Sequence, residues 1–181
     1  ELEATWREEQ SQKEITEVED ITERKETVFT DYKYPVFSRD GKVVAMRTGI
    51  GDIQQFVVFD PDGNPKVIHT PGIVNDAGML SLENNVLIWN EFHYDPRWRQ
   101  KTYSVIKTYD LTTGTKKTIT SKSRYSGAAL SPDGSKVVTT MNTTTYDNYL
   151  VVLDAQSGAV LNRLPNPEKG LYAMARWSDD G

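Results

Sequence analysis

The stretch Leu130-Ser131-Pro132-Asp133-Gly134 decides the fold, because near-repeats of it recur along the chain. The other copies are Phe37-Ser38-Arg39-Asp40-Gly41, Trp177-Ser178-Asp179-Asp180-Gly181 and the degenerate Leu80-Ser81-Leu82-Glu83-Asn84-Asn85. The four serines are 43, 50 and 47 residues apart. A period of this size, in a chain rich in β-branched and aromatic residues, is typical of repeated four-stranded units. The spacing therefore predicts an all-β fold, a β-propeller or part of one.

Each copy has the residue types of a tight turn between two strands. Proline has φ fixed near the value that the first turn position requires. The Asp carboxylate can accept hydrogen bonds from nearby N–H groups, and Gly can take positive φ. We therefore interpret the repeat as a blade turn and not as a serine nucleophile with an acidic partner. The turn residues are Ser38, Asp40, Gly41, Ser131, Pro132, Asp133, Gly134, Ser178, Asp180 and Gly181.

Alternating apolar patterns and turn clusters divide residues 31–181 into about three blades of four antiparallel strands. The blades are predicted over about 33–70, 73–120 and 124–164, and residues 171–181 are predicted to begin another blade. The predicted strands are 34–37, 42–47, 55–60 and 66–69, then 73–80, 86–92, 102–110 and 116–120, then 124–130, 136–141, 148–154 and 159–164. Residues 171–177 would form the innermost strand of the fourth unit.

Residues 1–30 have a different composition from the rest of the chain. The first 31 residues hold 11 acidic and 4 basic side chains, whereas residues 32–181 hold 15 acidic and 17 basic ones. Residues 1–27 contain no Gly or Pro, which favours helix. Ile15, Val18 and Ile21 can share one helix face. We predict an acidic helical arm or linker; the alternative is a helix that docks on something outside this chain.

The composition excludes several classes of function. The 181 residues include no cysteine, so disulfides and thiolate chemistry are absent, which is compatible with either the cytoplasm or the periplasm. No apolar run approaches the length of a transmembrane helix. The near-neutral repeat region lacks a phosphate-binding surface, so nucleic acid is not an expected partner. The chain starts at Glu1 without a basic-then-apolar leader, so any signal peptide is expected to have been removed or to lie upstream.

The repeated phrases resemble those of a known family. Residues 37–47, 130–138 and 177–181 are similar to the WD-like "PD" repeats of TolB-type β-propellers. The companion phrases Tyr109-Asp110-Leu111-Thr112-Thr113-Gly114 and Leu153-Asp154-Ala155-Gln156-Ser157-Gly158 resemble the second turn of such repeats. The resemblance covers about residues 32–181. Arg39 and Asp179 replace the usual Pro, and the second unit lacks Asp-Gly.

The resemblance implies more about context than about chemistry. Such propellers usually have six or seven blades, so the chain is expected to be a fragment of a larger protein. Some bacterial members follow a zinc-peptidase-like domain, and the family implies a periplasmic or cell-envelope location. The role implied is a non-catalytic binding or scaffolding module. The alternative is an accessory propeller that gates substrate for a peptidase or hydrolase domain outside this chain.

No enzyme site is visible in the sequence, and we expect no cofactor. Glu91, His93 and Asp95 alternate, so on a strand they would point to one side as a carboxylate–imidazole cluster. That cluster lacks the second His or Cys of a zinc site, and we predict no metal. His-Glu-x-x-His and Gly-x-Ser-x-Gly are both absent.

A candidate interaction loop stands out between two predicted strands of the second blade. It concentrates aromatic rings and charge, the residue types enriched in protein–protein hot spots. The alternative is that Trp98 folds back over its blade and Arg97 pairs with Asp95. The loop residues are Tyr94, Asp95, Arg97, Trp98, Arg99 and Tyr103. The expected partner is a protein or peptide.

The ends of an open arc of blades are a second candidate surface. Three blades leave an apolar blade face at each end, and the segment at 171–177 adds Leu171, Tyr172, Met174 and Trp177. Such a patch seldom stays bare on a soluble monomer. We expect either self-association of two arcs or an N-terminal helix that folds over one end with Trp6 as its anchor.

Overall fold

The computed structural model describes residues 5, 11, 29–38, 40–60, 63–75, 80–98, 100–178, 180 and 181. Thr5 and Ser11 are helical. The rest of the predicted helical arm up to residue 28 lies outside the described residues, as do Trp6, Arg39, Arg99 and Asp179.

Thirteen strands form three antiparallel sheets within the described residues. The first sheet holds β1 (Thr30–Phe37), β2 (Val43–Gly49), β3 (Gln55–Phe59) and β4 (Pro65–His69). The second holds β5 (Val74–Asn75), β6 (Ser81–Glu83), β7 (Val86–Tyr94), β8 (Thr102–Asp110) and β9 (Lys116–Thr118). The third holds β10 (Tyr125–Leu130), β11 (Lys136–Asn142), β12 (Asn148–Asp154) and β13 (Val160–Arg163).

The strand order follows the chain in every sheet, as in the blades of a propeller. In the second sheet, β5 and β6 both pair with β7 and together occupy the inner position, where the sequence predicted one strand over 73–80. Residues 76–79 between them lie outside the described residues. The predicted all-β fold of three antiparallel blades in an open arrangement is confirmed.

The inner strands of the first and third blades carry a kink that the sequence did not predict. Tyr34 (φ 57°) and Gly127 (φ 64°) each lie four residues before the motif serine, and the strand register shifts around both. Met174 (φ 55°) has the same offset from Ser178. A positive φ is uncommon for a residue with a side chain. Its recurrence at one repeat position indicates that the bulge belongs to the blade design.

The prediction of a strand over residues 171–177 is not met, because this segment forms no ladder with any described strand. A strand requires a hydrogen-bonded neighbour. The segment instead contacts the third blade through isolated bonds to β10 and β12. The Tyr172 amide donates to Asn148 Oδ1 (2.6 Å), and the Trp177 indole donates to the Ala129 carbonyl (3.1 Å).

Two main apolar cores lie between neighbouring blades. Trp89 of the second blade meets Phe56 of the first edge-to-face, with ring centroids 5.1 Å apart. Ile88 and Ile106 of the second blade pack in one cluster with Leu130 of the third. Each buried aliphatic side chain contributes roughly 1.5–3 kcal/mol. Burial between blades therefore holds the arc together.

The structure places the repeated phrase in the turns between first and second strands. The Ser131 hydroxyl donates to Asp133, the Gly134 amide donates to the Ser131 carbonyl (2.8 Å), and Lys136 N donates to Ser131 Oγ (2.9 Å). Hydrogen bonds from Ser131 and Ser135 hold the pKa of Asp133 far below its usual range. In the first blade, hydrogen bonds from Lys42 and Ser38 lower the pKa of Asp40 to about 2.

The degenerate copy forms its turn by another route. Asn84 (φ 49°) and Asn85 (φ 62°) both take the left-handed conformation, the pattern of a two-residue hairpin turn. Asn tolerates this region because its short side chain bonds locally. Asn84 Nδ2 also donates to the Pro132 carbonyl (3.1 Å), which links the turns of the second and third blades.

We expect Gly134→Val to destabilise the protein by about 1–3 kcal/mol. Gly134 has φ +73°, and a Cβ there would lie 3.1 Å from Asn84 Nδ2. The measurement is the free energy of unfolding in denaturant. The matched control is Thr112→Val, a β-branched replacement in a turn without positive φ. Equal, small losses for both variants would refute the turn assignment.

Candidate functional site

The hairpin order places every connection at one of two ends of the blades. Turns 38–42, 60–64, 83–86, 111–115, 131–135 and 155–159 lie at one end, which we call the turn face. Loops 50–54, 95–101 and 143–147 and the connections between blades lie at the other end, the loop face. The turn face is lined mainly by polar turn residues. Exposed apolar side chains mark all three loops of the loop face: Ile50, Ile53, Trp98 and Tyr146.

The longest of these loops, 95–101, is built around Asp95. Its carboxylate accepts hydrogen bonds from the backbone amides of Arg97 (2.9 Å) and Trp98 (3.2 Å). The Tyr103 hydroxyl donates to its second oxygen (3.3 Å). These amides keep the pKa of Asp95 below its usual value. Asp95 N also donates to the Lys101 carbonyl (2.9 Å), so the loop is closed at its base.

The fixed loop presents Trp98 to solvent. The Trp98 side chain is 68% exposed, and Tyr94 beside it is 55% exposed. The alternative interpretation, a tryptophan folded over its blade, is therefore wrong. Arg97 meets Asp95 through its backbone amide, and no ion pair between described residues joins their side chains. Arg99 lies outside the described residues.

A groove of about 710 Å³ opens beside Trp98. Residues 93–98, 101, 103 and 105 form one wall, and residues 118 and 120–122 form the other. A second depression lies on the other side of the tryptophan, lined by Trp98, Gln100, Lys101, Thr102 and Arg124. Trp98 and Lys101 line both, so they form the ridge between the two hollows.

The second wall is tied firmly to the sheet. Thr120 Oγ1 accepts the Ile106 amide (2.9 Å) and bonds Ser123 Oγ (2.8 Å). Ser104 N donates to the Ser123 carbonyl (2.9 Å), and Ser123 Oγ donates back to the Ser104 carbonyl (2.6 Å). These bonds fix the connection between the second and third blades. The groove therefore has two preformed walls.

The charged side chains around the groove are mostly basic. Arg97, Lys101, Lys122 and Arg124 are all exposed, and the ion pairs between described residues involve none of them. A hydrogen bond with the Tyr103 phenol raises the pKa of Lys101, whose ammonium lies 5.5 Å from the centre of that ring. Lys101 is therefore a stable cation at neutral pH.

The predicted cluster of Glu91, His93 and Asp95 does not come together. Glu91 is buried (2% exposed) and bonds Trp89 Nε1 (2.8 Å) and Lys107 Nζ (2.6 Å). Asp95 closes its own loop, and His93 lines the groove. Among the residues that the structure describes, no group of three His, Asp or Glu side chains is placed to hold a metal ion.

Half of this site was not predicted from the sequence. Lys122 and Arg124 are separated from Trp98 by more than twenty residues, and the pairing of β9 and the connection after it with β8 brings them close to it. The available signal was the short basic run Lys122-Ser123-Arg124, which follows a predicted strand. A run of that length is common on protein surfaces and carried no argument alone.

A second, smaller cleft lies where the inner strands end. It has a volume of about 330 Å³ and receives the side chain of Arg176, which donates to the Leu80 carbonyl (3.2 Å). Burial lowers the pKa of Arg176. The lining residues come from four repeats: Phe37, Ser81, Glu83, Ala129, Leu130, Pro132, Arg176, Trp177 and Ser178.

Within the described parts of the chain, no helix has the length and apolarity needed to cross a membrane.

Solved structures share this arrangement of strands. A protein assigned as TolB from Agrobacterium tumefaciens matches with a TM-score of 0.50 and 14% identity, over 68% of this chain and 43% of that one. The acylaminoacyl peptidase of Pyrococcus horikoshii gives 0.51 and 15% identity, over 77% and 26% of the two chains. The tricorn protease gives 0.51 and 13% identity, over 68% and 14%.

The likeness confirms the β-propeller fold that the TolB-type repeats predicted. Identities this low show the fold alone. The chain spans less than half the length of each of these three proteins. No family model matches the chain, and no curated protein matches it.

Proposed function

We propose that this chain is a non-catalytic β-propeller module that binds a protein or peptide partner through the loop face of its second blade. The observation that carries the proposal is Trp98, a large aromatic side chain held in solvent by a hydrogen-bonded loop at the edge of a groove. Tryptophan is one of the residue types enriched among the hot spots of protein interfaces. We further propose that the module belongs to a larger protein, since it spans only part of its structural counterparts.

A selection experiment tests this role without knowledge of the partner. A random twelve-residue peptide library is panned on the full chain, and enriched peptides are measured against three proteins: wild type, Trp98→Ala and Tyr146→Ala. Tyr146 is the matched control, since it is an exposed aromatic residue on another loop of the same face. We expect Trp98→Ala to weaken binding about tenfold or more and Tyr146→Ala to change it little. Peptides that bind all three proteins equally would contradict the proposal.

A second candidate function has specific support. Two of the structural counterparts are peptidases in which the matched region is a minority of the chain. This favours an accessory propeller that gates substrate for a hydrolase domain outside the present sequence. Coexpression with such a domain, followed by comparison of its turnover of short and long substrates, separates gating from partner binding.

We expect the chain alone to hydrolyse neither peptides nor esters. The described residues contain no cysteine, and His93 is not in the predicted cluster with Glu91 and Asp95. The measurement is turnover of fluorogenic peptide and ester substrates by repurified protein. Activity that survives repurification and disappears in His93→Ala would overturn this prediction.

We also propose that the open ends of the arc pair with a second copy of the chain. Leu171 and Met174 at one end are 81% and 76% exposed. Light scattering at several concentrations should show a mass that rises with concentration. A variant without residues 1–30 separates self-association from the alternative, in which the N-terminal arm folds over one end of the arc. A strict monomer whose stability is unchanged by the deletion would show that the ends need no cover.

The periplasmic or cell-envelope location implied by the resemblance stays a prediction.

A further inference from the structure

We propose that the groove beside Trp98 is specific for an acidic peptide segment. The segment would run across Trp98, from the groove beside the connection between the second and third blades to the depression lined by Gln100, Thr102 and Arg124. This inference rests on the proposed binding function and adds the chemistry of the partner. It follows from three features of the site: the charges, the ridge and the fixed walls.

The first feature is an excess of positive charge that no ion pair between described residues neutralises. Arg97, Lys101, Lys122 and Arg124 surround the site, and no ion pair between described residues includes them. Arg124 is close enough to Lys101 for their charges to oppose each other. A carboxylate placed between these groups would relieve the repulsion and gain charge-assisted hydrogen bonds.

The acidic side chains of the same loops are already engaged. Asp95 accepts two backbone amides and the Tyr103 hydroxyl. Asp147, on the neighbouring loop, accepts hydrogen bonds from the Thr143 and Thr145 hydroxyls. These carboxylates face their own loops, so the charge offered to a partner is mainly basic.

The second feature is the ridge. Trp98 and Lys101 separate a groove of about 710 Å³ from a depression of about 680 Å³, with Lys122 on the first side and Arg124 on the second. An extended segment that crosses the ridge would place an apolar side chain against the indole and acidic side chains on both flanks. This spacing favours a peptide over a single small anion, which would occupy one side only.

The third feature is that the walls are already in place. The Asp95 bonds fix the loop, and the Ser104–Ser123 pair fixes the opposite wall. A preformed site avoids the ordering cost that weakens binding to mobile loops. A short acidic peptide is therefore expected to bind without a large change in the protein.

A basic and aromatic surface can also attract nucleic acid, but the loops around this one favour a peptide. Nucleic-acid sites continue as long basic tracks along the backbone. Here the neighbouring loops of the same face carry Ile50, Ile53 and Tyr146 instead of further lysines or arginines. An apolar surround of this kind suits the side chains of a protein partner.

The test uses the full chain and defined probes. A labelled twelve-residue peptide contains six glutamates and two leucines, and its counterpart carries glutamine at the six positions. Binding is measured by fluorescence anisotropy at low and high salt. We expect the acidic peptide to bind about tenfold or more tightly than the glutamine peptide at low salt, and to lose most of that preference at high salt.

The variants are matched in charge. Lys101→Glu with Lys122→Glu should abolish the preference for the acidic peptide. Lys66→Glu with Lys136→Glu makes the same change in net charge at exposed lysines away from the groove. This control should keep the preference for the acidic peptide. Thermal melts of both double variants establish that each is folded. Equal losses in the two double variants would mean nonspecific charge attraction and would overturn the inference.

The remaining outcomes separate the inference from the function on which it rests. If both peptides bind equally and Trp98→Ala weakens both, the loop binds peptides but the acidic specificity is wrong. If neither peptide binds and library selection also fails, both proposals are wrong. If a twelve-nucleotide thymidine oligomer binds more tightly than the acidic peptide, the ligand is a nucleic acid and the inference is overturned.

Discussion

Replacing Gly158 with alanine is expected to destabilise the protein by about 2–5 kcal/mol. Gly158 ends the outer turn of the third blade with φ +71°, where a Cβ is disfavoured. The added carbon would also lie 2.4 Å from the Ile119 carbonyl oxygen, which belongs to the second blade. Because that oxygen is backbone, relief requires the two blades to move apart.

Gly114 supplies the matched control for this prediction. It occupies the equivalent turn of the second blade with φ +69°, and the nearest atom to its added carbon is Tyr109 OH at 3.6 Å. Gly114→Ala should lower the free energy of unfolding by only about 1–2 kcal/mol, which is the cost of placing a Cβ at positive φ. Denaturant unfolding of both variants measures the difference, which reports the contact between blades. Equal losses would mean that the blades are not packed as described.

Glu91→Ala is expected to destabilise the protein by about 3–5 kcal/mol, because it leaves a partly buried cation without its partner. Glu91 accepts hydrogen bonds from the Trp89 indole and the Lys107 ammonium. The Gly72 amide is also bonded to it, so the carboxylate joins the first connection between blades to the second sheet. Glu168→Ala, at an exposed position, is the control and should change stability by less than about 0.5 kcal/mol.

The Glu91 carboxylate makes the stability of the folded protein depend on pH, and the direction of that dependence follows from its pKa. Burial opposes its charge, but the hydrogen bonds from Lys107 and Trp89 leave the pKa of Glu91 below its usual 4.5. A lowered pKa in the folded state means that the stabilisation is present above that value and is lost as the pH falls through the folded pKa. The stability gap between wild type and Glu91→Gln should therefore narrow below about pH 4.5. A gap that widens in acid would contradict the assigned contacts.

The repeat could be predicted from sequence because its turns are local. Ser131, Asp133 and Gly134 form their hydrogen bonds within a few residues, so residue type and spacing carried the information. The kink at Tyr34 and Met174 could not be predicted, since neither residue favours positive φ.

The site was only partly accessible to sequence reasoning. Trp98 and its loop were found because aromatic and charged residues cluster along the chain. The opposing wall was not, since Lys122 and Arg124 reach the groove only because β9 and the connection after it lie along β8. Local chemistry was predicted from the sequence, whereas contacts between distant parts of the chain required the fold.

The central claim is that a partner binds the loop face of the second blade, and hydrogen–deuterium exchange of the full chain with the acidic peptide tests it most directly. Binding at the proposed site predicts slower exchange of amides in residues 95–101 and 119–124. The turns at 38–42 and 131–135, on the opposite face, should be unchanged. Protection confined to those turns or to the inner-strand cleft at 171–178, with none at the Trp98 loop, would contradict the account.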